Sequence, residues 1–425
     1  MTERNLSSST AIAVLSTIFF TWGALTSLND VLIPHLKAVF EMGYARSMLV
    51  QFAFFSTYLV MSLPAGRVVA RVGYKASIVI GLLVAGVGAL AFYPAAKVPS
   101  YALFLLALCV LASGITLLQV AANPYISLIG DPRYASSRLT LAQALNSLGT
   151  TLAPSLIGPL ILSVGVLGAQ QIAQLAPAQA EAYRIAQAGA VQGPYLGIAV
   201  GLAVLAMLVY LLRLPPLTEA REDPSAHTLG QVLQHRQLRL GVVAIFVYVG
   251  AEVGISSFLI NYLEDARIGA LDAVTATKYV SYYWGGAMVG RFLGSALMRR
   301  ISPHTLLCLF ALTAIALLIT TMSTVGALAM WSVVAIGLFN SIMFPTLFTF
   351  GIDGLGTETS KASSLLVMAI FGGAVIPVLM GKLADHIGVQ PAFIVPVLCY
   401  AYIAWYALRG GPRLNRRSAV VTSGT

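Results

Sequence analysis

The stretch YALFLLALCVLASGITLLQVAANPYISLI, Tyr101 to Ile129, runs for 29 residues without a single charge. As a helix rising about 1.5 Å per residue, it is longer than the ~30 Å hydrocarbon core of a bilayer. Its apolar residues show none of the two-residue alternation of a barrel strand. A helix satisfies all its backbone groups internally, as lipid demands. Similar runs recur along the whole chain, which predicts an all-α integral membrane protein.

Composition leads the same way. Hydrophobic residues make up 58% of the chain and charged residues 9%, whereas a soluble domain carries about 25% charged residues. The net charge of +10 comes from Lys and Arg scattered through short gaps. No basic stripe interleaves with aromatics, so nucleic acid is excluded as a partner. Cys109, Cys308 and Cys399 lie far apart in apolar runs and read as small core residues without disulfide or metal spacing. The five histidines (His35, His227, His235, His304, His386) have no metal-ligand spacing, and no Walker loop is present. No metal and no cofactor is expected. The first apolar run is too long for a signal-peptide core, so it is expected to stay as a membrane helix.

Twelve spans can be placed. They are Ala11–Pro34, Ser47–Val69, Ala76–Ala95, Tyr101–Ile129, Leu139–Leu162 and Pro194–Leu214, then Leu240–Leu263, Tyr279–Leu297, Thr305–Met322, Val325–Ile352, Ser363–Ala384 and Val389–Leu408. The most polar stretch, Pro215–Gln237, separates the two sets of six. This predicts an N-terminal half over 1–214, a cytoplasmic linker over 215–238, and a C-terminal half with a short tail over 239–425. An Ala/Gln-rich segment, Ala178–Ala188, suits a short surface helix. Of the 25 Lys and Arg residues, 18 fall on the side that holds both termini. By the positive-inside rule that side is cytoplasmic; below it is called the basic end. A multi-pass protein of the inner membrane is expected, as a monomer in the lipid bilayer.

The halves echo one another. Gln119 and Pro124 in the fourth span repeat as Asn340 and Pro345 in the tenth, with Gly130 and Gly351 following. Gly23 and Gly250 align the first and seventh spans. Two parallel six-helix halves are the layout of the major facilitator superfamily, which holds substrate at mid-membrane between them. GRVVARVGYK, Gly66–Lys75, resembles that superfamily's signature loop, with Arg67 and Arg71 as candidate gating cations. Ala70 stands where the loop usually has an acid. GRFLGSALMRR, Gly290–Arg300, reads as a second copy, which makes Arg291 a third gating candidate; ordinary positive-inside charge fits each of these arginines equally well.

FFTWGALTSLNDVLIP (Phe19–Pro34), QFAFFSTYLVMSLPAGR (Gln51–Arg67), LLQVAANPYISLIG (Leu117–Gly130), RLTLAQALNSLG (Arg138–Gly149) and GAEVGISSFLINYL (Gly250–Leu263) resemble the fucose–proton symporter family. Within it the chain is similar to the glucose/galactose branch. The resemblance implies a secondary active transporter for a hexose or a related sugar, such as N-acetylglucosamine or sucrose, by cation symport. The family pattern has a glutamate where this chain has Gln119. An amide cannot titrate, so the coupling ion is left open between H⁺, slightly favoured, and Na⁺.

Asp30 and Glu252 lie inside spans, where a charge costs at least ~2.5–3.5 kcal/mol and must face a cavity or a partner. Both are candidate cation-coupling residues; pairing with neighbouring groups is the alternative for each. The amides within spans can exchange hydrogen bonds with sugar hydroxyls. The substrate-binding candidates are Asn29, Gln51, Gln119, Asn123, Gln143, Asn146, Asn261 and Asn340. Gln143 and Asn146, three apart, share a helix face. Interhelical hydrogen bonding is the competing role for the set. Trp22, Tyr58, Tyr283 and Trp284 can stack on a sugar or simply pack; Trp284 joins the binding set. Rival functions are a sugar or drug exporter, a sugar-sensing receptor and a membrane-embedded glycolipid-modifying enzyme; paired catalytic groups for the last are not found.

Overall fold

The computed structural model describes residues 8–40, 44–98, 100–161, 174, 176–215 and 228–411. The membrane helices are α1 (Ser8–Val39), the two arms α2 and α3 of Tyr44–Lys97, α4 (Tyr101–Leu128), α5 (Ala135–Leu156) and α6 (Gln192–Leu211). They continue as α7 (Arg236–Glu264), α8 (Ala273–Leu297) and α9 (Pro303–Ser323). Next come α10, broken between Gly326–Asn340 and Met343–Ile352, and α11, formed by Thr359–Met368, a 3₁₀ turn and Gly372–Ile387. The last is α12, made of Val389–Ala392 and Ile394–Trp405 and ending in a π-turn. The chain bends between α2 and α3 at Gly73, whose φ of 81° is one that a side chain resists. The surface helix expected near residue 180 is present as Pro177–Ala190.

Nine stretches among the described residues are long and apolar enough to cross a membrane. One of them is the α2–α3 pair. The spans that fall outside the nine are α5 and α8. They are also the two that carry Arg138, Gln143, Asn146 and Ser147, and Lys278, Arg291 and Ser295. A helix that lipid does not fully surround can afford such residues, and α5 and α8 pack against one another across the junction of the two halves.

The halves are built alike. In the first, α1 packs on α5, α3 on α4 and α3 on α6; in the second, α7 packs on α11, α9 on α10 and α9 on α12. A Cβ on Gly23 would stand 2.2 Å from the Asn146 carbonyl oxygen on α5, and one on Gly250 equally close to Ile376 on α11. The alignment of these two glycines therefore has a physical basis, since small residues let membrane helices approach closely. The echo of Gly130 and Gly351 does not hold up. Gly130 is a turn residue at φ 81°, whereas Gly351 lies within α10 against Leu366.

The second signature copy is also corrected. Gly290–Leu297 belongs to α8, so Arg291 lies six residues inside the helix and is buried, not at the rim.

Candidate functional site

At the basic end the halves meet through hydroxyl groups. Ser136 on α5 and Thr349 on α10 share a hydrogen bond of 2.6 Å. Ser137 donates to the Ser295 carbonyl oxygen at 2.7 Å, and Ser295 donates back to that of Ser137 at 2.8 Å. Ser363 on α11 donates to the Val120 carbonyl oxygen of α4 at 2.9 Å. Gly66 lies so close to Ser364 that a Cβ would fall 1.9 Å from its Oγ. Among the described residues, these contacts between the halves join uncharged groups. Arg67 and Arg71 are exposed beside them. Arg67 and Lys361 line a small cavity of about 150 Å³ with Gly66, Ala70, Leu229 and Ser364, at the place where the signature loop lacks its acid.

The loop joining α4 to α5 is held by Arg138, whose guanidinium donates to the carbonyl oxygens of Ile126, Ser127 and Asp131 at 2.6–3.2 Å. It thereby caps the carbonyl end of α4. In the same loop the Arg133 guanidinium and backbone N–H hold the Asp131 carboxyl below the usual carboxylate range.

Deeper in the N-terminal half, the Gln119 Nε2 donates to the Tyr58 hydroxyl at 3.0 Å. Tyr58 sits two turns along α2 from the half-buried Gln51. Gln143 reaches Asn123 Oδ1 at 3.5 Å, and the buried Asn123 Nδ2 has no hydrogen-bond partner among the described residues. Asn146 Nδ2 donates to the Phe19 carbonyl oxygen at 3.0 Å, tying α5 to α1. Gln143 and Asn146, expected on one face, thus serve different neighbours. Asn29 and Asp30 belong to α1, but their side chains lie outside the described residues. Trp22 is buried against Phe19, with ring centroids 4.0 Å apart, and so packs rather than presents a free face.

The C-terminal half holds a tighter network. Asn340 has no exposed surface; its Nδ2 donates to the Tyr283 hydroxyl at 2.7 Å and its Oδ1 accepts from the Tyr400 hydroxyl at 2.6 Å. Both ends of this amide are taken, so Asn340 fits the interhelical alternative. The Tyr248 hydroxyl lies 2.8 Å from Glu252 Oε1 and 2.9 Å from the Asn340 carbonyl oxygen, which share its one proton. Glu252 is buried and stands 3.9 Å from Arg291 Nη2. Arg291 also donates to the backbone oxygens of Ser341 and Gln143 at 3.3 Å each, and to the Ser147 hydroxyl. Trp284 is half-buried, edge-on to Tyr283. Asn261 lies apart from this network, exposed in the last turn of α7.

Sequence reasoning missed the buried position of Arg291, the Tyr248–Tyr283–Tyr400 ring and the hydroxyl seam. The arginine was open to detection, since it falls within the span placed at Tyr279–Leu297. The seam was harder to see, because isolated Ser and Thr residues are common in membrane helices.

The family model that matches residues 12–376 is the Major Facilitator Superfamily. A glucose/galactose transporter of Brucella abortus is 51% identical over 400 residues, 94% of each chain. The L-fucose–proton symporter of Escherichia coli is 34% identical over 402 residues, 93% of this chain and 92% of that one. A crystal structure of the E. coli fucose:proton symporter superposes with a TM-score of 0.88 at 32% identity, covering 96% of this chain and 100% of that one. Another, of the outward conformation, gives 0.87 at 32% identity, covering 95% and 99%. This chain belongs to the major facilitator superfamily and, within it, to the fucose–proton symporter family of membrane transporters, in its glucose/galactose transporter-like branch.

Proposed function

We propose that this protein imports a hexose, glucose or galactose, across the inner membrane by proton symport, with both termini cytoplasmic. The observation that carries this reading is the 51% identity over 94% of the chain to a glucose/galactose transporter. Protons are preferred to sodium because a 34% identical relative is a proton symporter. Residues 1–214 and 239–425 move against one another about the 215–238 linker, half of which lies outside the described residues. The sugar meets the amides of the N-terminal half, Gln119, Gln143 and Gln51, and Trp284 from across the junction. Gln119 suits this work because its described hydrogen bond uses only the amide nitrogen. Its oxygen can accept from a sugar hydroxyl, and hydroxyl-rich ligands are selected by such amides at a largely preformed site.

Coupling rests on Asp30 and Glu252, the carboxylates at membrane depth. A proton that enters on a carboxylate carries one charge through the field, worth about 2.3 kcal/mol per 100 mV. At about 1.4 kcal/mol per tenfold, this sustains roughly forty-fold accumulation of sugar. The closed seam at the basic end belongs to the state that takes sugar from outside. Proteoliposomes given a pH gradient test the reading. Labelled glucose or galactose should accumulate without sodium, be displaced by the other hexose, and collapse with an uncoupler. Uptake that needs sodium, or sugar that moves only outward, would refute it.

A further inference from the structure

Arg291 enters the bundle from α8, about 9 Å from the basic end of that helix, and stops between four helices. Its Nε donates to the Ser341 carbonyl oxygen on α10 at 3.3 Å. Its Nη1 donates to the Gln143 carbonyl oxygen at 3.3 Å and to the Ser147 hydroxyl, both on α5 of the opposite half. Its Nη2 stands 3.9 Å from Glu252 Oε1 on α7 of its own half, within ion-pair range and beyond a hydrogen bond. A guanidinium keeps its charge and presents five N–H donors in a fixed plane. Two kinds of acceptor therefore compete for it: neutral oxygens across the junction, and a carboxylate in its own half.

Little else in the neighbourhood can change charge. Around Glu252, α7 contributes Tyr248, α8 contributes Tyr283 and Arg291, and α12 contributes Tyr400 through Asn340. From α11, Ile376 and Gly372 pack at Gly250; from α5 come Gln143 and Ser147. Phenols ordinarily ionise near pH ~10, so the carboxylate is the member of the cluster that a transported proton can switch.

We propose that Arg291 is a latch between the two halves, and that the charge on Glu252 sets how firmly it grips α5. Ionised Glu252 draws the guanidinium toward α7 and loosens the grip. Protonated Glu252 stops competing, leaves the guanidinium to Gln143 and Ser147, and keeps the basic end shut. A proton alone then cannot open that end. Opening waits for sugar to shift α5, which prevents a proton leak. The inference rests on the coupling role given to Glu252 above, and makes Arg291 a positioning residue.

The test uses the full chain with its native cysteines replaced and spin labels at two exposed basic-end sites, Tyr134→Cys and Arg300→Cys. The distance between them reads whether that end is shut. With Arg291 and Glu252 intact, the short-distance population should grow as pH falls. Glu252→Gln should hold the short distance at every pH. Arg291→Gln should lose the pH response and shift toward long distances, and Arg291→Lys should restore part of the response. The double variant Glu252→Gln with Arg291→Gln leaves no unpaired buried charge, so it should fold and behave as Arg291→Gln does. A double variant that keeps the full pH response, or a Glu252→Gln protein that opens, overturns the latch. Sugar-driven proton flux measured on Glu252→Gln separates the two readings. Undiminished flux refutes the coupling role of Glu252, while lost flux with the native pH response of the label distances still present refutes the latch alone.

Discussion

A side-chain amide meets tyrosine in each half and is used differently. Gln119 on α4 meets Tyr58 on α2 at 3.0 Å, and Asn340 on α10 meets Tyr283 on α8 at 2.7 Å. In the N-terminal half the tyrosine takes one end of the amide, and the amide is 8% exposed. In the C-terminal half Tyr400 closes the other end, Tyr248 binds the backbone carbonyl, and exposure falls to zero. A buried amide with both ends satisfied gains nothing from a new ligand; one with a spare acceptor does. Under the proposed function the difference divides the labour: Gln119 keeps an acceptor for sugar, and the C-terminal network is satisfied within itself around the Glu252–Arg291 pair.

The largest effect expected is on coupling. Asp30→Asn should abolish uphill accumulation while leaving sugar exchange down its gradient, and undiminished uphill uptake would remove Asp30 from the mechanism. Next comes Asn340→Ala, which strands the buried Tyr400 hydroxyl and removes the donor to Tyr283, leaving Tyr283 the Glu252 carbonyl oxygen at 3.4 Å. At ~1–3 kcal/mol for the unsatisfied group and ~1 kcal/mol for the second lost hydrogen bond, the loss should be about 2–4 kcal/mol, read as a lower unfolding midpoint of the purified protein. Gln119→Ala should show the opposite balance: sugar affinity falls about tenfold for one lost hydrogen bond of ~1.4 kcal/mol, while the unfolding midpoint falls by less than in Asn340→Ala because only the Tyr58 hydroxyl loses a partner. If the two variants exchanged phenotypes, the division of labour would fail.

Gln119→Glu sharpens the comparison. It restores a titratable group facing Tyr58, so transport should become more dependent on pH; an unchanged profile would place Gln119 outside the coupling path. The smallest effect belongs to Asp131. Arg133 depresses its ionisation, so whatever stability it contributes is complete above the ordinary aspartate range and is lost only as pH falls through the depressed value. Asp131→Asn should therefore leave the transport profile unchanged between about pH 5 and 8.

The fold was largely legible in the sequence because lipid leaves few choices: uncharged runs of membrane length become helices. The site was legible only in part. Polar residues inside spans announce themselves, and Glu252, Gln119 and Gln143, each hydrogen-bonded to another helix or to another turn of its own helix, were picked out as candidates in this way. Whether an amide is spare or sealed depends on partners far off in sequence. Tyr400 lies 60 residues from Asn340, and no local pattern marks it. The same holds for Arg291, whose acceptors on α5 are 144 and 148 residues away. The sequence reading placed it with the gating arginines because GRFLGSALMRR read as a second signature loop, whereas Gly290 lies within α8, close against Leu338 and Ser341.

Proton movement driven by sugar tests the central claim most directly. Glucose or galactose added to de-energised proteoliposomes, in weakly buffered sodium-free medium, should draw protons inward and make the outside more alkaline. The signal should scale with the sugar that enters and vanish in Asp30→Asn. Sugar entry with no change in external pH, or entry only when sodium is supplied, would contradict the account.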